Sequence, residues 1–384
     1  MKYILCILIF LSAVSLRATP EFAAWTGNKC STCHLSENGG GARNDFGFNF
    51  ARDASFFTPS EIPFMDSPIS NQLFGGLMTY GADFRLQSTR SSKVADAKRR
   101  YYPMQCAAYL AVNPTDYLAI ESQVNIGPII FEGQRNFAAS LKLTPSEELP
   151  YLRMGYFQPA FGLKNPDMTD LDRRVAGIDG SINLFAPDFA DLGVEIGYNS
   201  LSWLTLQVGL FNNQSLKKVS VFGDIVSLVP DNDKLVSSKI VIHPQDFLAD
   251  YIQDFYFGYS NSICGNFVYN TAFVAVSPIE DLLMRFVFSH SNKPGTRLTH
   301  SYILDMSYII MPGLFLTAKG QYGTNEMLWD KNTNEYLLSP DIKQLTFGAR
   351  WFVMPHVEFL PEYRYMQSSE FKSWRWMFQL HLYY

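Results

Sequence analysis

The chain of 384 residues carries 31 basic and 36 acidic side chains, a formal net charge of -5 with the histidines neutral. That balance argues against a nucleic-acid partner, which calls for surplus Lys and Arg to meet phosphate. With 15% aromatic and only 17% charged residues but a mean hydropathy of -0.04, apolar and polar side chains are finely interleaved, which suits alternating strands and leaves no run of about 18 apolar residues for a spanning helix past the N-terminus.

Residues 1–18, MKYILCILIFLSAVSLRA, place Lys2 ahead of an apolar run from Tyr3 to Leu16, with small residues near a cut after Ala18. That is the pattern of a secretory signal peptide, so the mature chain is expected to be exported. Cys6 leaves with it. Cys30, Cys33, Cys106 and Cys264 remain, too few for a disulfide-stapled scaffold of this length.

Residues 19–70 are rich in Gly, Asn, Ser and Pro and form a separate small unit. A unit of about 50 residues buries little apolar surface and is expected to need a cofactor, metal or disulfide to fold. Cys30-Ser-Thr-Cys33-His34 supplies a candidate. Two thiols at this spacing can each add to one porphyrin vinyl group, and the imidazole beside the second can reach the iron, so the motif points to one covalent haem c. Cys30 and Cys33 are the expected thioethers and His34 the expected proximal axial ligand. A zinc site lacks a second ligand pair between residues 35 and 70, a thioredoxin-like redox pair lacks its βαβ setting, and a plain disulfide leaves His34 without a role.

Residues 35–64 contain no His or Met, so a distal iron ligand from within the unit has to be Met65. His356 and His381 are candidates from elsewhere: each shares parity with polar residues, Glu358, Glu362 and Arg364 for the first, Arg375 and Gln379 for the second. An open or water-ligated iron is a further alternative. His290 and His300 fall in phase with Met284, Phe286, Tyr302 and Leu304, which assigns them to the lipid face or to outer loops.

From Asn71 onward the signal is period-two alternation in segments of about ten residues broken by turns, as expected for strands. In SWRWMFQLHLYY, Trp374, Trp376, Phe378, Leu380, Leu382 and Tyr384 share one face. An aromatic C-terminal residue preceded by apolar residues at every second position resembles the terminal assembly signal of outer-membrane barrels. Short turns are expected at 113–116, 144–150, 199–202, 243–246, 277–281, 311–313 and 354–356. Longer connections are expected near 88–100, 128–134, 159–190, 213–235, 261–264, 291–298, 324–341 and 367–372. The fold expected over 71–384 is therefore all-β, a transmembrane outer-membrane β-barrel of about 16 antiparallel strands, with the N-terminal unit at or inside its lumen. Arg90, Lys93, Lys98, Arg99 and Arg100 fall in the first outer loop, and Cys106 and Cys264 read as small packing residues.

The stretch YLRMGYFQPAFGLKNPDMTDLDR, followed by FADLGVEIGYNSLSWLTLQVGLFNN, resembles the phosphate-selective porin family over residues 151–213. A second resemblance comes from TPEFAAWTGNKCSTCH with FGFNF at 46–50. Pro20, Phe22, Thr26, Gly27, Cys30, Cys33, His34, Phe46, Gly47 and Phe50 match the pattern of the fused outer-membrane monohaem cytochrome c-porin family, best known from iron-oxidising bacteria. The Gly39-Gly40-Gly41 run departs from that pattern, and Arg52 displaces its basic residue. The resemblance implies electron transfer across the outer membrane, from an extracellular donor such as Fe(II) to a soluble periplasmic cytochrome. The alternatives are outward electron transfer and a passive porin for anions or small solutes with an N-terminal plug.

Overall fold

The computed structural model describes residues 20–62, 70–91, 100–126, 137–164, 170–175, 182–183, 189–214, 219–221, 224–226, 233–244, 254–293, 297–330, 335–367 and 372–384. The expected signal peptide and Met65 lie outside them, as do Lys93, Lys98 and Arg99.

One sheet holds 17 strands, of which the two-residue Gln72–Leu73 only flanks the first long strand. The other 16 form the wall. They are β1 (Met78–Ser91), β2 (Arg100–Thr115), β3 (Leu118–Asn125), β4 (Phe137–Leu143), β5 (Tyr151–Phe157), β6 (Asp191–Tyr198), β7 (Leu204–Phe211) and β8 (Leu235–Ile242). They continue as β9 (Asp254–Cys264), β10 (Phe267–Ile279), β11 (Leu282–Lys293), β12 (Arg297–Met311), β13 (Leu314–Asp330), β14 (Glu335–Met354), β15 (Val357–Gln367) and β16 (Lys372–Tyr383). Each pairs antiparallel with the next. Phe84 of β1 faces Cys106 of β2 on one side and Leu382 of β16 on the other, so the sheet closes on itself and has no edge to cap.

Polarity runs opposite to that of a soluble barrel. Along β10, buried Tyr269, Thr271, Phe273 and Ala275 alternate with half-buried residues of the outer face. Ser237, Lys239, Arg285, Asp305, Lys319 and Gln321 are buried toward the lumen, while Val208, Leu210, Leu304, Leu316, Phe347 and Trp376 are exposed outside. Hydrocarbon is the solvent that rewards such an exterior, and closure satisfies the backbone that water cannot reach there. Toward one end, Tyr259, Ala272, Phe288, Tyr302 and Tyr322 stand directly opposite one another across β9–β13, an aromatic row of the kind found at a membrane interface.

Tight reversals stand at Asp116–Tyr117, Glu280–Asp281, Pro312–Gly313 and Pro355–His356, where the sequence places short turns; residues 245 and 246 of another lie outside the described ones. The connection near 261–264 is also tight, turning at Gly265, whose φ is 57°. Residues 324–341 depart from expectation. A loop is expected there, but β13 runs to Asp330 and β14 starts at Glu335, so most of the stretch forms the arms of a hairpin.

The N-terminal unit lies in the lumen. Helix α1 (Pro20–Thr26) packs on β9–β11. Its Phe22 is 4% exposed, with ring centroids 5.7 Å from both Phe315 and Phe352. Helix α2 (Asp45–Asp53) is capped by Asn44, whose side chain accepts the Gly47 N–H, and it buries Phe48 and Phe50. Beyond it, the N–H groups of Phe56 and Phe57 donate to Phe352 O and Val353 O at 2.7 and 3.2 Å, which pins the end of the plug to β14.

Candidate cofactor site in the plug and the lumen around it

Cys30 opens a single 3-10 turn, and the N–H groups of Cys33 and His34 both donate to Cys30 O, at 3.2 and 3.0 Å. This local turn brings the two thiols and the imidazole onto one short stretch of backbone. Neither Cys30 nor Cys33 is in a disulfide. Burial raises the Cys30 thiol pKa, and burial followed by the neighbouring Cys30 pushes Cys33 up to about 12 against the opposing effect of Arg43. Both are therefore neutral thiols.

The motif is fixed at both ends. Lys29 Nζ donates to Asn199 O and Oδ1, each at 2.9 Å, and to Leu204 O at 3.0 Å. Loss of water around it brings its pKa down to about 8. Asn199 in turn donates to Ser31 Oγ at 2.7 Å, so the turn between β6 and β7 grips the motif from below. On the other side the Asn44 N–H donates to Cys33 O at 3.1 Å and its amide to Thr32 O at 3.0 Å. Gly47 passes so close that a Cβ there would stand 2.0 Å from Cys33 O. The Phe46-Gly47 pattern is thus a packing requirement between α2 and the motif.

The glycine run has a physical role. Gly39, Gly40 and Gly41 all hold left-handed φ, at 74°, 67° and 69°, a sequence of conformations that side-chain-bearing residues avoid. It folds the chain back so that the Leu35 N–H donates to Ala42 O at 3.1 Å and His34 bridges Arg43. Gly39 lies over the motif, where a Cβ would meet Cys30 Sγ at 3.6 Å and His34 Cδ2 at 3.9 Å. An open cavity flanks the run, between Gly40 and Gly41 and the wall residues Tyr109, Arg153 and Phe157. Polar ties from three strands hold the fold-back: Lys142 of β4 pairs with Glu37, Lys239 Nζ of β8 donates to Asn38 Oδ1 at 2.9 Å, and Asp83 of β1 faces Arg43 at 3.8 Å.

These residues fit a c-type haem. Two free thiols on one turn, an adjoining imidazole and a Cβ-free cradle over both match what covalent attachment and proximal ligation require. Among the described residues no group of three or more His, Cys, Asp and Glu is arranged to hold a metal ion, so a closed zinc site finds no ligand set there.

The remaining histidines differ sharply. His381 is buried between two carboxylates, Nδ1 to Glu358 at 2.9 Å and Nε2 to Asp83 at 3.0 Å. With both nitrogens engaged it has none to offer iron, and its role is to join β1, β15 and β16 where the barrel closes. His356 sits in the β14–β15 turn with φ at 63°, stacked on Phe48 at 4.7 Å, and among the described residues neither ring nitrogen finds a hydrogen-bond partner. His243, which the sequence reading counts only as a turn residue, ends the inward face of β8 that carries Lys239 and Val241. Among the described residues its Nδ1 has no hydrogen-bond partner. Burial, then nearby cations, lower His243 and His356 to about 4, so both are neutral at pH 7. Cys264 is buried beside Asn213, as a packing residue should be, while Cys106 is half-buried.

Further along the lumen, charges come in balanced pairs: Arg285 with Asp305, Arg350 with Glu358, Arg364 with Glu362, and Lys319 with Asp170 at 2.5 Å. Asp170 belongs to the connection after β5, which crosses to the far wall. Leu171 N–H donates to Gln321 Oε1 at 2.9 Å, and Leu171 packs with Ile342 and Met366. The sequence offers no local signal for this inward fold, because its partners lie about 150 residues away.

A closed 16-stranded barrel with an apolar exterior, a charged lumen and an inward-folded loop is the architecture of an outer-membrane porin. Solved structures bear this out. The outer membrane channel DcaP of Acinetobacter baumannii matches with a TM-score of 0.54 at 12% identity, over 80% of this chain and 97% of that one. Pseudomonas putida OprB at high pH gives 0.54 at 10% identity, over 80% and 94%. An anion-selective porin from Comamonas acidovorans gives 0.51 at 10% identity, over 80% and 99%. No protein-family model matches the chain, and no characterised protein matches it by sequence.

Proposed function

We propose that this outer-membrane barrel carries one covalent haem c in its lumenal plug and transfers electrons across the membrane. The observation that carries the reading is the Cys30–His34 turn, with free thiols, fastened inside the lumen by Lys29, Asn44 and the glycine fold-back. A haem held there supplies a one-electron carrier at a depth that hydrocarbon otherwise denies to charge. Cys30 and Cys33 would hold it and His34 would ligate the iron. Met65, His356 or water would complete its coordination, and His381 is committed to Glu358 and Asp83. The partners are an extracellular donor such as Fe(II) and a soluble periplasmic cytochrome.

Expression with cytochrome c maturation machinery, followed by a haem-stained gel and a visible spectrum, tests the cofactor. A colourless full-length protein ends this reading, and Cys30→Ser with Cys33→Ser is expected to abolish the stain. Anaerobic mixing of the oxidised protein with ferrous iron tests the donor; no reduced bands within minutes would remove it.

The likeness to porins supports a second reading more directly, a channel for anions or small solutes whose N-terminal unit is a plug. The charge-paired lumen suits it, whereas the plug and the inward loop both narrow the path. Conductance of the purified protein in planar bilayers, without haem, separates the two.

A further inference from the structure

The aromatic row across β9–β13 is followed, one rung farther from the chain termini on the same outer face, by a polar one. Ser238, Asn261, Asn270, His290, His300 and Thr324 stand directly opposite one another across β8–β13. All six are half-buried, and the lumen-facing neighbours on either side, such as Ser289, Ser291 and Ser301, are buried. The rung on the other side of the aromatic row is apolar, with Phe257, Val274, Phe286 and Leu304. The order apolar, aromatic, polar along three successive rungs marks where hydrocarbon gives way to headgroups and water. The polar row therefore lies outside the hydrocarbon, where a hydrated ion can reach it.

Within that row His290 and His300 form a directly opposed pair whose rings stack at 4.7 Å and 26°, with their Nδ1 atoms 3.3 Å apart. A hydrogen bond between neutral tautomers accounts for that distance; so does a shared cation. For metal–nitrogen bonds of about 2.1 Å, a 3.3 Å separation subtends roughly 104° at the metal, close to tetrahedral. The sheet register holds both rings on adjacent strands, so little side-chain freedom is left to lose on chelation.

We propose that His290 and His300 form a two-imidazole chelate for a divalent transition cation of the zinc, nickel and copper class on the outer rim of the barrel. Imidazole favours these ions over calcium or magnesium, and the Irving–Williams order places them above ferrous iron. Only two protein ligands are supplied, so the other positions go to water and the site is an exchangeable one. It is separate from the plug: neither histidine faces the lumen, and the site does not depend on whether haem is bound.

The test is calorimetric titration of the full-length, detergent-solubilised protein with Zn2+, repeated on His290→Gln, His300→Gln and the double variant. Every protein compared carries Cys30→Ser and Cys33→Ser, because the plug thiols beside His34 would themselves take zinc, and one zinc per chain is then expected where the histidine pair is intact. Each single variant should weaken it at least tenfold, and the double variant should be little worse than either single one, because a chelate fails when one arm is lost. Heat-modifiable migration on gels checks that each variant keeps a closed barrel. Equal zinc affinity in the unaltered and double-variant proteins would overturn the proposal and leave the pair as a hydrogen bond.

Discussion

Replacing Gly47 by Ala isolates the contact between α2 and the Cys30–His34 turn. The added Cβ would stand 2.0 Å from Cys33 O and 2.8 Å from Cys33 Cα, both backbone atoms that cannot rotate away. A carbon needs about 3.3 Å from a carbonyl oxygen, so α2 must retreat by more than about 1 Å. Overpacking of this kind costs about 1–3 kcal/mol. The retreat also strains the Asn44 cap, whose Oδ1 accepts from Gly47 N at 2.8 Å, worth about 1 kcal/mol. Better helix propensity returns up to about 1 kcal/mol. A net loss of about 1–4 kcal/mol raises the undocked population of the plug roughly 5- to 700-fold. Limited proteolysis of the detergent-solubilised protein, with the cut sites mapped by mass spectrometry, reads that population directly when redocking is faster than cleavage. Cleavage within residues 27–54 should accelerate by that order, while Asn49→Ala, whose amide bonds Asp45 O on the same helix, should not change it. A Gly47→Ala protein cut at the original rate would show that α2 does not pack on the motif as described.

Phe22→Ala removes a ring that joins Trp25, Phe50, Phe315 and Phe352 and costs about 3–5 kcal/mol of plug docking; single-channel recordings should show larger and more frequent openings, and an unchanged trace would count against plug occlusion. Asp170→Ala leaves Lys319 and Gln321 without their shared acceptor and removes one of the inward loop's ties to the far wall, with Leu171 still bonded to Gln321. Reversal-potential measurements in a salt gradient should then move toward anion selectivity; a shift toward cations contradicts the assignment. Burial lowers His243 and His356 to about 4, below their unfolded value, so their contribution is complete above about pH 6.5 and is lost as the pH falls toward 4. Thermal unfolding followed from pH 7.5 to 4 should show a midpoint that declines across that window, and a flat profile would show that neither histidine is buried neutral.

The barrel was legible because lipid outside and a charged lumen inside impose a strict period of two, and because Pro312–Gly313 and Pro355–His356 turn the chain where the alternation stops. The same rule misleads at 324–341, where the alternation breaks down but the pairing of β13 with β14 continues to Asp330 and Glu335. Cys30, Cys33 and His34 were legible as a local motif. The fold-back that fastens them was not, since three consecutive left-handed glycines read from sequence as flexibility until Lys239 and Lys142 are seen holding Asn38 and Glu37. His381 shows the limit of parity reasoning: alternation predicts that it faces inward, but only the closure of β16 on β1 brings Asp83, 298 residues away, to its second nitrogen. His243 escaped notice because its inward direction is set by β8, while its sequence neighbours are those of a turn.

The seam at Arg43 also sets an order of events. Arg43 faces Asp83 on β1 and lies over the ring of Tyr383 at 4.6 Å, near the end of β16, so its seat exists only once the first and last strands have met. The plug, which precedes the barrel in the chain, therefore completes its docking only after the barrel has closed.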